Sequence, residues 1–185
     1  MRPGLPAVLD VAGRQCVVVG AGAGGRRKID ALVAAGADVT VIDPVGLGGT
    51  GSDRAPRSEV EVIVRRWEPG DLQGAHLVVI ATDIPDVNEA VAAEAESVGA
   101  LVVRSDGVGV GHLTLPAVAQ RASVRVAVDT GGGSPAVAAV LRDEIAHVLD
   151  AEGDRWDELA RWAAERRPVS IAAVEARLAE LRRTT

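Results

Sequence analysis

The stretch Val17-Val18-Val19-Gly20-Ala21-Gly22-Ala23-Gly24-Gly25, with Val39-Thr40-Val41-Ile42-Asp43 after it, decides the fold. An apolar run stops at Gly20, and Gly20, Gly22 and Gly25 stand at G-x-G-x-x-G spacing. A helical pattern follows, and a second apolar run ends in an acid. Each part has a physical job. Gly20 permits a tight turn, Gly22 lets backbone approach a pyrophosphate, and Gly25 lets helix and strand pack closely. The phosphates then face free N–H groups at a helix start. Asp43 lies about 20 residues on, where a carboxylate accepts hydrogen bonds from an adenosine ribose and repels a 2′-phosphate. Glycine triplets also occur in plain structural turns. Strand, glycines, helix, strand and acid in register point instead to a dinucleotide site, with NAD favoured over NADP.

Working outward, the 185 residues suit one domain with an appendage, or two small units sharing a core. Apolar residues make up 48% of the chain, enough for a sizeable core, yet there is no Phe or Tyr and only Trp67, Trp156 and Trp162. Without Tyr, a short-chain dehydrogenase of the Tyr-Lys type cannot be built. The net charge of −6 opposes binding to nucleic acid or an anionic membrane, and no basic stripe offsets it. Met1-Arg2-Pro3-Gly4 lacks an apolar signal region, and no apolar run approaches the ~18 residues of a membrane span. The expectation is a soluble, cytoplasmic protein. Cys16, the single cysteine, precedes three valines and reads as a buried structural thiol. His76, His112 and His147 share no ligand spacing, which argues against a zinc site of the usual Cys/His kind.

The pattern along the chain predicts a helix over 26–35 ending at Gly36, a Gly/Ser/Thr-rich mobile loop over 45–58, and a strand over 60–64. A strand over 77–80, a helix over 85–98 and a strand over 101–103 follow. Strands alternating with helices imply a mostly parallel sheet. Beyond Asp106, Gly107, Gly109 and Gly111 break the rhythm, and strands are expected at 112–115 and 124–128. Gly131-Gly132-Gly133-Ser134-Pro135 then opens a helix, with Ser134 a good N-cap and Pro135 suited to the first helical position. Its stripe is Val137, Val140, Leu141, Ile145 and Val148, and helices over 154–166 and 170–183 finish the chain.

Further landmarks fall at family-like positions. They are Leu5-Pro6 with Leu9, Arg27-Lys28 after the glycine turn, Ala81-Thr82-Asp83 with Asn88, and Asp106 ten residues before Pro116. Val126-Ala127-Val128 ahead of the Gly131–Pro135 block, and Arg142-Asp143-Glu144 after it, complete the set. With these residues the chain resembles the precorrin-2 dehydrogenase family, also met as the N-terminal module of siroheme synthase, over roughly residues 5–150. A generic Rossmann domain has no reason to carry the Gly131–Pro135 block.

The resemblance implies NAD-dependent oxidation of precorrin-2 to sirohydrochlorin on the route to siroheme. In some family members the same protein also inserts ferrous iron into the product. It maps cofactor contacts onto Ala23-Gly24 and Pro44-Val45, with Thr82 beside them, and the family's essential aspartate onto Asp106. A single carboxylate suits both activities as a general base, because hydride loss from the macrocycle and metal insertion each release protons. Asp106-Gly107 is also a common turn dipeptide, the bland alternative for those residues. The family's Asn-Val-Val before its aspartate is here Val103-Arg104-Ser105, so Arg104 pairs either with Asp106 or with a substrate carboxylate. A polycarboxylate substrate needs N–H or cationic partners. The candidates are Arg104 and Thr130 with the helix start at Gly132, Gly133 and Ser134, with Arg125 and Arg142 behind them. Thr130 keeps a hydroxyl where a relative has a serine.

The expected architecture is α/β. A Rossmann-like NAD-binding domain spans 1–112, a small α+β dimerisation unit 113–150, and a C-terminal helical unit 151–185, with interlocked homodimers. Two rival functions are a chelatase that merely keeps the nucleotide fold and an NAD-sensing regulatory module. The sensor needs neither Asp106 nor a second anion site.

Overall fold

The computed structural model describes residues 4–48, 60–105, 111–166 and 168–183. They divide into two compact units, one formed by the described residues within 7–115 and the other by those from Pro116 onward together with residues 4–6.

The first unit is a five-stranded parallel sheet of β1 (Gln15–Val19), β2 (Asp38–Ile42), β3 (Val60–Ile63), β4 (Leu77–Ile80) and β5 (Leu101–Arg104). The strand order is β3-β2-β1-β4-β5, and every pairing is parallel. The order reverses at β1, as in Rossmann-like folds, and ligands of such sheets bind where the carboxyl ends of the strands part. Consecutive side chains point to opposite faces of a strand, so strands covered on both faces read as unbroken apolar runs. One face sets Cys16, Val18, Val39, Val41 and Val79 against Ile29 and Leu32 of α1 (Ala23–Ala34). The other sets Val17, Val19, Ile42, Val78 and Ile80 against Val91 and Ala95 of α2 (Pro85–Ser97). The crossover between β3 and β4 is fastened by its own polar groups. Arg65 donates two bonds of 2.7 Å to the carboxylate of Asp71, which holds that carboxyl below its ordinary value, and Glu94 of α2 accepts from the amides of Gly70 and Leu72.

Two expectations need correction here. Helix α1 starts at Ala23, inside the glycine run rather than at Arg26, because close packing of Gly25 on the turn outweighs the poor helix propensity of glycine. Residues 112–115 form no strand. Leu113 makes a single isolated bridge to Val103, and His112 turns its Nδ1 back to accept from the Val102 amide at 3.1 Å, covering the β5 edge. Of the loop expected at 45–58, only the start is described, a short 3-10 turn at Gly46–Gly48; the rest lies outside the described residues.

The second unit is an antiparallel hairpin of β6 (Ala117–Arg121) and β7 (Val124–Val128), on which α3 (Pro135–Ala151) packs, followed by α4 (Gly153–Ala164) and α5 (Ile171–Arg183). Arg121 ties the hairpin to the helices, donating to Asp150 at 3.0 Å and lying 3.6 Å from Asp157. The inner face of α3 buries Ala138 and Leu149. Most of the apolar stripe read from the sequence lies outward. Val137, Val140, Leu141 and Val148 are between 46% and 61% exposed. Among the described residues no helix is long and apolar enough to cross a membrane.

Candidate functional site

The glycine turn stands at the carboxyl end of β1, pinned to both neighbouring strands. The Gly20 amide donates to Ile42 O at 3.0 Å, and the Ala81 amide donates to Val19 O at 2.8 Å. Gly20 has φ +98, and a Cβ there would lie 2.5 Å from Ala81 O. A Cβ on Gly25 would lie 2.1 Å from Gly20 O. Both glycines are therefore demanded by the fold. Gly22 is different, since nothing lies within 4 Å of its would-be Cβ and its φ of −63 suits any residue. The space a side chain would fill lies open at the start of α1.

That helix start has no capping side chain and no acid in its first turn. The first N–H groups of a helix lack intrahelical partners and carry the positive end of its dipole, so an anion is the fitting occupant. Ala23 and Gly24 belong to this first turn. Arg26 reaches back and donates through Nε to Ala21 O at 3.0 Å, holding the turn from the helix side.

Asp43 follows β2, as expected, but its carboxylate has backbone work the sequence did not show. Oδ2 accepts from the Ala21 amide at 2.7 Å, and Oδ1 accepts from the Val45 amide at 2.8 Å. It clasps the glycine turn to the loop carrying Pro44 and Val45, and Val45 itself is 68% exposed on that rim. Each carboxylate oxygen keeps a further lone pair for a hydroxyl group. A ribose diol at this position fits the acceptors, whereas a phosphate dianion meets a like charge.

Across the turn, Thr82 follows β4. Its hydroxyl donates to Asn88 Oδ1 at 2.5 Å and accepts from the Ile84 amide at 3.2 Å, so its bonds run inward. At the end of β5 the Ser105 amide donates to Ile80 O at 2.9 Å, and Arg104 pairs with Glu89 of α2 at 2.7 Å while keeping only 7% of its side chain exposed. Asp106 lies outside the described residues. Lys28, half-buried on α1, has its amine pushed below the ordinary value by burial, with Arg27 adding repulsion. Cys16 is fully buried, and burial pushes its thiol up to about 11, as befits a structural cysteine.

In the second unit the start of α3 is already satisfied. Ser134 Oγ accepts from the Val137 amide at 3.3 Å, the Thr130 hydroxyl exchanges bonds with the Ser134 backbone, and the Gly133 amide donates to Thr130 O at 3.1 Å. Gly131 and Gly132 take positive φ, which lets this loop close on itself. Among the described residues no group of three or more His, Cys, Asp and Glu side chains is arranged to hold a metal ion.

A family model described as "Putative NAD(P)-binding" matches residues 7–117. The siroheme synthase of Chromobacterium violaceum is 36% identical over 176 residues, which is 95% of this chain and 36% of the relative. That of Methylobacillus flagellatus is 36% identical over 161 residues, 87% of this chain and 34% of the relative. The chain thus spans about a third of the length of the curated relatives it matches. A solved structure named "SirC, precorrin-2 dehydrogenase" shares the fold with a TM-score of 0.65 at 21% identity, covering 96% of this chain and 89% of that one. The sheet order, the two fold-demanded glycines, the open Gly22 and the matched model agree, and the chain belongs to the NAD(P)-binding family that the sequence pointed to, with siroheme synthases among its relatives.

Proposed function

We propose that this chain binds NAD at the glycine turn and oxidises precorrin-2 to sirohydrochlorin. One observation carries the reading: an uncapped helix start beside an open Gly22, with the Asp43 carboxylate at its rim. Likeness to siroheme synthases supports the substrate class. When bound, NAD supplies the hydride acceptor. The chain's own residues do the rest. The α1 amides hold the pyrophosphate, Asp43 receives the adenosine ribose, and Gly22 lets the backbone come close.

Loss of two hydrogens from the substrate, one as hydride and one as a proton, calls for a base. The resemblance gives that role to Asp106, which follows Ser105 in the sequence. The resemblance offers Arg104 in the first unit, and Thr130, Gly132, Gly133 and Ser134 in the second, as partners for the substrate's carboxylates; Arg104 would do so beside its pairing with Glu89, and Thr130 and Ser134 by trading the bonds that now satisfy the start of α3. Insertion of ferrous iron into the product is the second activity the resemblance implies, with iron as substrate. A homodimer is also proposed, because Val137, Val140, Leu141 and Val148 form an apolar face of α3 that a small unit cannot cover alone. Sedimentation at micromolar concentration should show the dimer. A clean monomer there would sink it.

An anaerobic absorbance assay with precorrin-2 and NAD tests the function, repeated with sirohydrochlorin and ferrous iron. NADH should form, and Asp106→Asn should slow it about 10²–10⁴-fold with NAD affinity almost unchanged. NAD binding without NADH formation favours the sensor instead. Near-normal turnover by Asp106→Asn overturns the base assignment.

A further inference from the structure

Asn88 is a polar residue buried in the core, 2% exposed on the inner face of α2. Burying an amide is costly unless it is bonded, so its partners define its use. Nδ2 lies 3.1 Å from Thr82 O, and Oδ1 lies 2.5 Å from Thr82 Oγ1. A carbonyl only accepts, which fixes the nitrogen on that side and leaves Oδ1 to receive the hydroxyl proton of Thr82. The same hydroxyl oxygen accepts from the Ile84 amide at 3.2 Å, and the Asn88 amide donates to Ile84 O at 3.0 Å. Residues 82–84 are thereby locked to the first turn of α2.

What this lock holds is the wall of the glycine turn. Ala81 O, Ala81 C and the Thr82 amide nitrogen lie between 2.5 and 2.8 Å from where a Gly20 Cβ would stand, and Ala81 Cβ lies 3.4 Å from that of Gly25. The Ala81–Thr82 peptide therefore packs directly on the turn. We infer that Asn88, acting through Thr82, is a positioning residue for the dinucleotide: it fixes the peptide against which Gly20 and the first amides of α1 are set. This deepens the proposed NAD reading and rests on it. Thr82 consequently serves the cofactor through its backbone, its hydroxyl being engaged inward.

The test uses the full chain, with Thr82→Val, Thr82→Ser and Asn88→Leu. Calorimetric titration with NAD well below the melting temperature should show affinity about tenfold weaker for Thr82→Val, the size expected of one buried hydrogen bond, with near-parent affinity for Thr82→Ser. Asn88→Leu should weaken it similarly, and the double variant no further than the worse single one. Should Asn88→Leu fail to fold, Thr82→Val decides alone. In the unliganded protein, exchange of the Ala21 amide, which is bonded to Asp43, should quicken about tenfold in Thr82→Val. Thr82→Val binding NAD within twofold of the parent, with a lowered melting temperature only, would make the lock merely structural and overturn the inference. A parent that binds no NAD refutes the proposed function, and the Ala21 exchange rate then still decides whether Asn88 positions the turn.

Discussion

Three alanine substitutions in one turn separate what the fold needs from what a ligand needs. In Gly22→Ala the new methyl meets nothing within 4 Å, and φ −63 with ψ 179 is comfortable for alanine. Replacing glycine where the backbone allows it gains about 0.4–1 kcal/mol through the unfolded chain. Gly22 is also an N-cap, where alanine is worse than glycine by roughly 0.5–1 kcal/mol. The two effects cancel, and the melting temperature should stay within about 3 °C of the parent. Gly20→Ala is another matter. Its φ of +98 adds strain of about 1–3 kcal/mol, and a contact of 2.5 Å with Ala81 O forces a backbone shift of similar cost, so roughly 2–6 kcal/mol is lost. Gly25→Ala, at 2.1 Å from Gly20 O, should be at least as damaging.

The order reverses for binding by the folded protein. On the proposed placement of the pyrophosphate, a methyl on Gly22 stands in its way, and losing two charge-assisted hydrogen bonds of about 1.5–3 kcal/mol each should weaken NAD at least about a hundredfold. Differential scanning calorimetry of the unliganded protein and calorimetric titration with NAD read the two quantities separately. A Gly22→Ala variant that binds NAD within threefold of the parent refutes the placement of the phosphates. One that loses several kcal/mol of stability refutes the claim that the space above Gly22 is free for a ligand.

Asp43→Ala removes the acceptor of both the Ala21 and Val45 amides, so stability should fall by about 2–4 kcal/mol while the preference for NAD over NADP narrows; equal affinities for the two cofactors in the parent would take Asp43 out of its ribose role. Cys16 should resist alkylation at pH 8 in the folded protein and react on unfolding, since burial and then Asp38 raise its thiol from 9.0 to about 11. Because the folded thiol keeps a proton that the unfolded chain releases, its contribution to stability is present below pH 9 and is lost as the pH rises to 11. Rapid labelling of the native protein at pH 8 would contradict the buried placement.

The parallel sheet was legible because strands buried on both faces leave an unbroken apolar signature, and Cys16–Val19 and Leu77–Ile80 are almost wholly inaccessible to water. Pro85 and Ser134 marked helix starts through chemistry local to one turn. Strand β6 left no such mark. Ala117-Val118-Ala119-Gln120-Arg121 is short, with alanine at two of its apolar positions and no clean alternation, and its turn to β7 runs through Ala122 and Ser123 rather than the Asn-Gly or Asp-Gly that announces a hairpin. Ala122 takes φ +46 there, the one positive value for a non-glycine residue among the described residues, so the hairpin is imposed by pairing and by α3 packing on it. The alternating segment His112-Leu113-Thr114-Leu115 looked like a strand because pattern alone cannot tell a paired segment from one that merely covers a sheet edge.

At the site, spacing located Asp43 but not the direction of its lone pairs. A carboxylate at the end of β2 has to choose among a ribose, a solvated state and the backbone nearby. The choice depends on Ala21, which is 22 residues away in the chain and 2.7 Å away in space. With both oxygens already engaged, the carboxylate is held in place before any ligand arrives. A ribose diol then meets acceptors that need no reordering, while a 2′-phosphate meets a charge that cannot swing aside without releasing Ala21 and loosening the glycine turn. On the proposed placement of the ribose, discrimination between the two cofactors and the rigidity of the turn become one property of one side chain. Neither can be changed at Asp43 without the other.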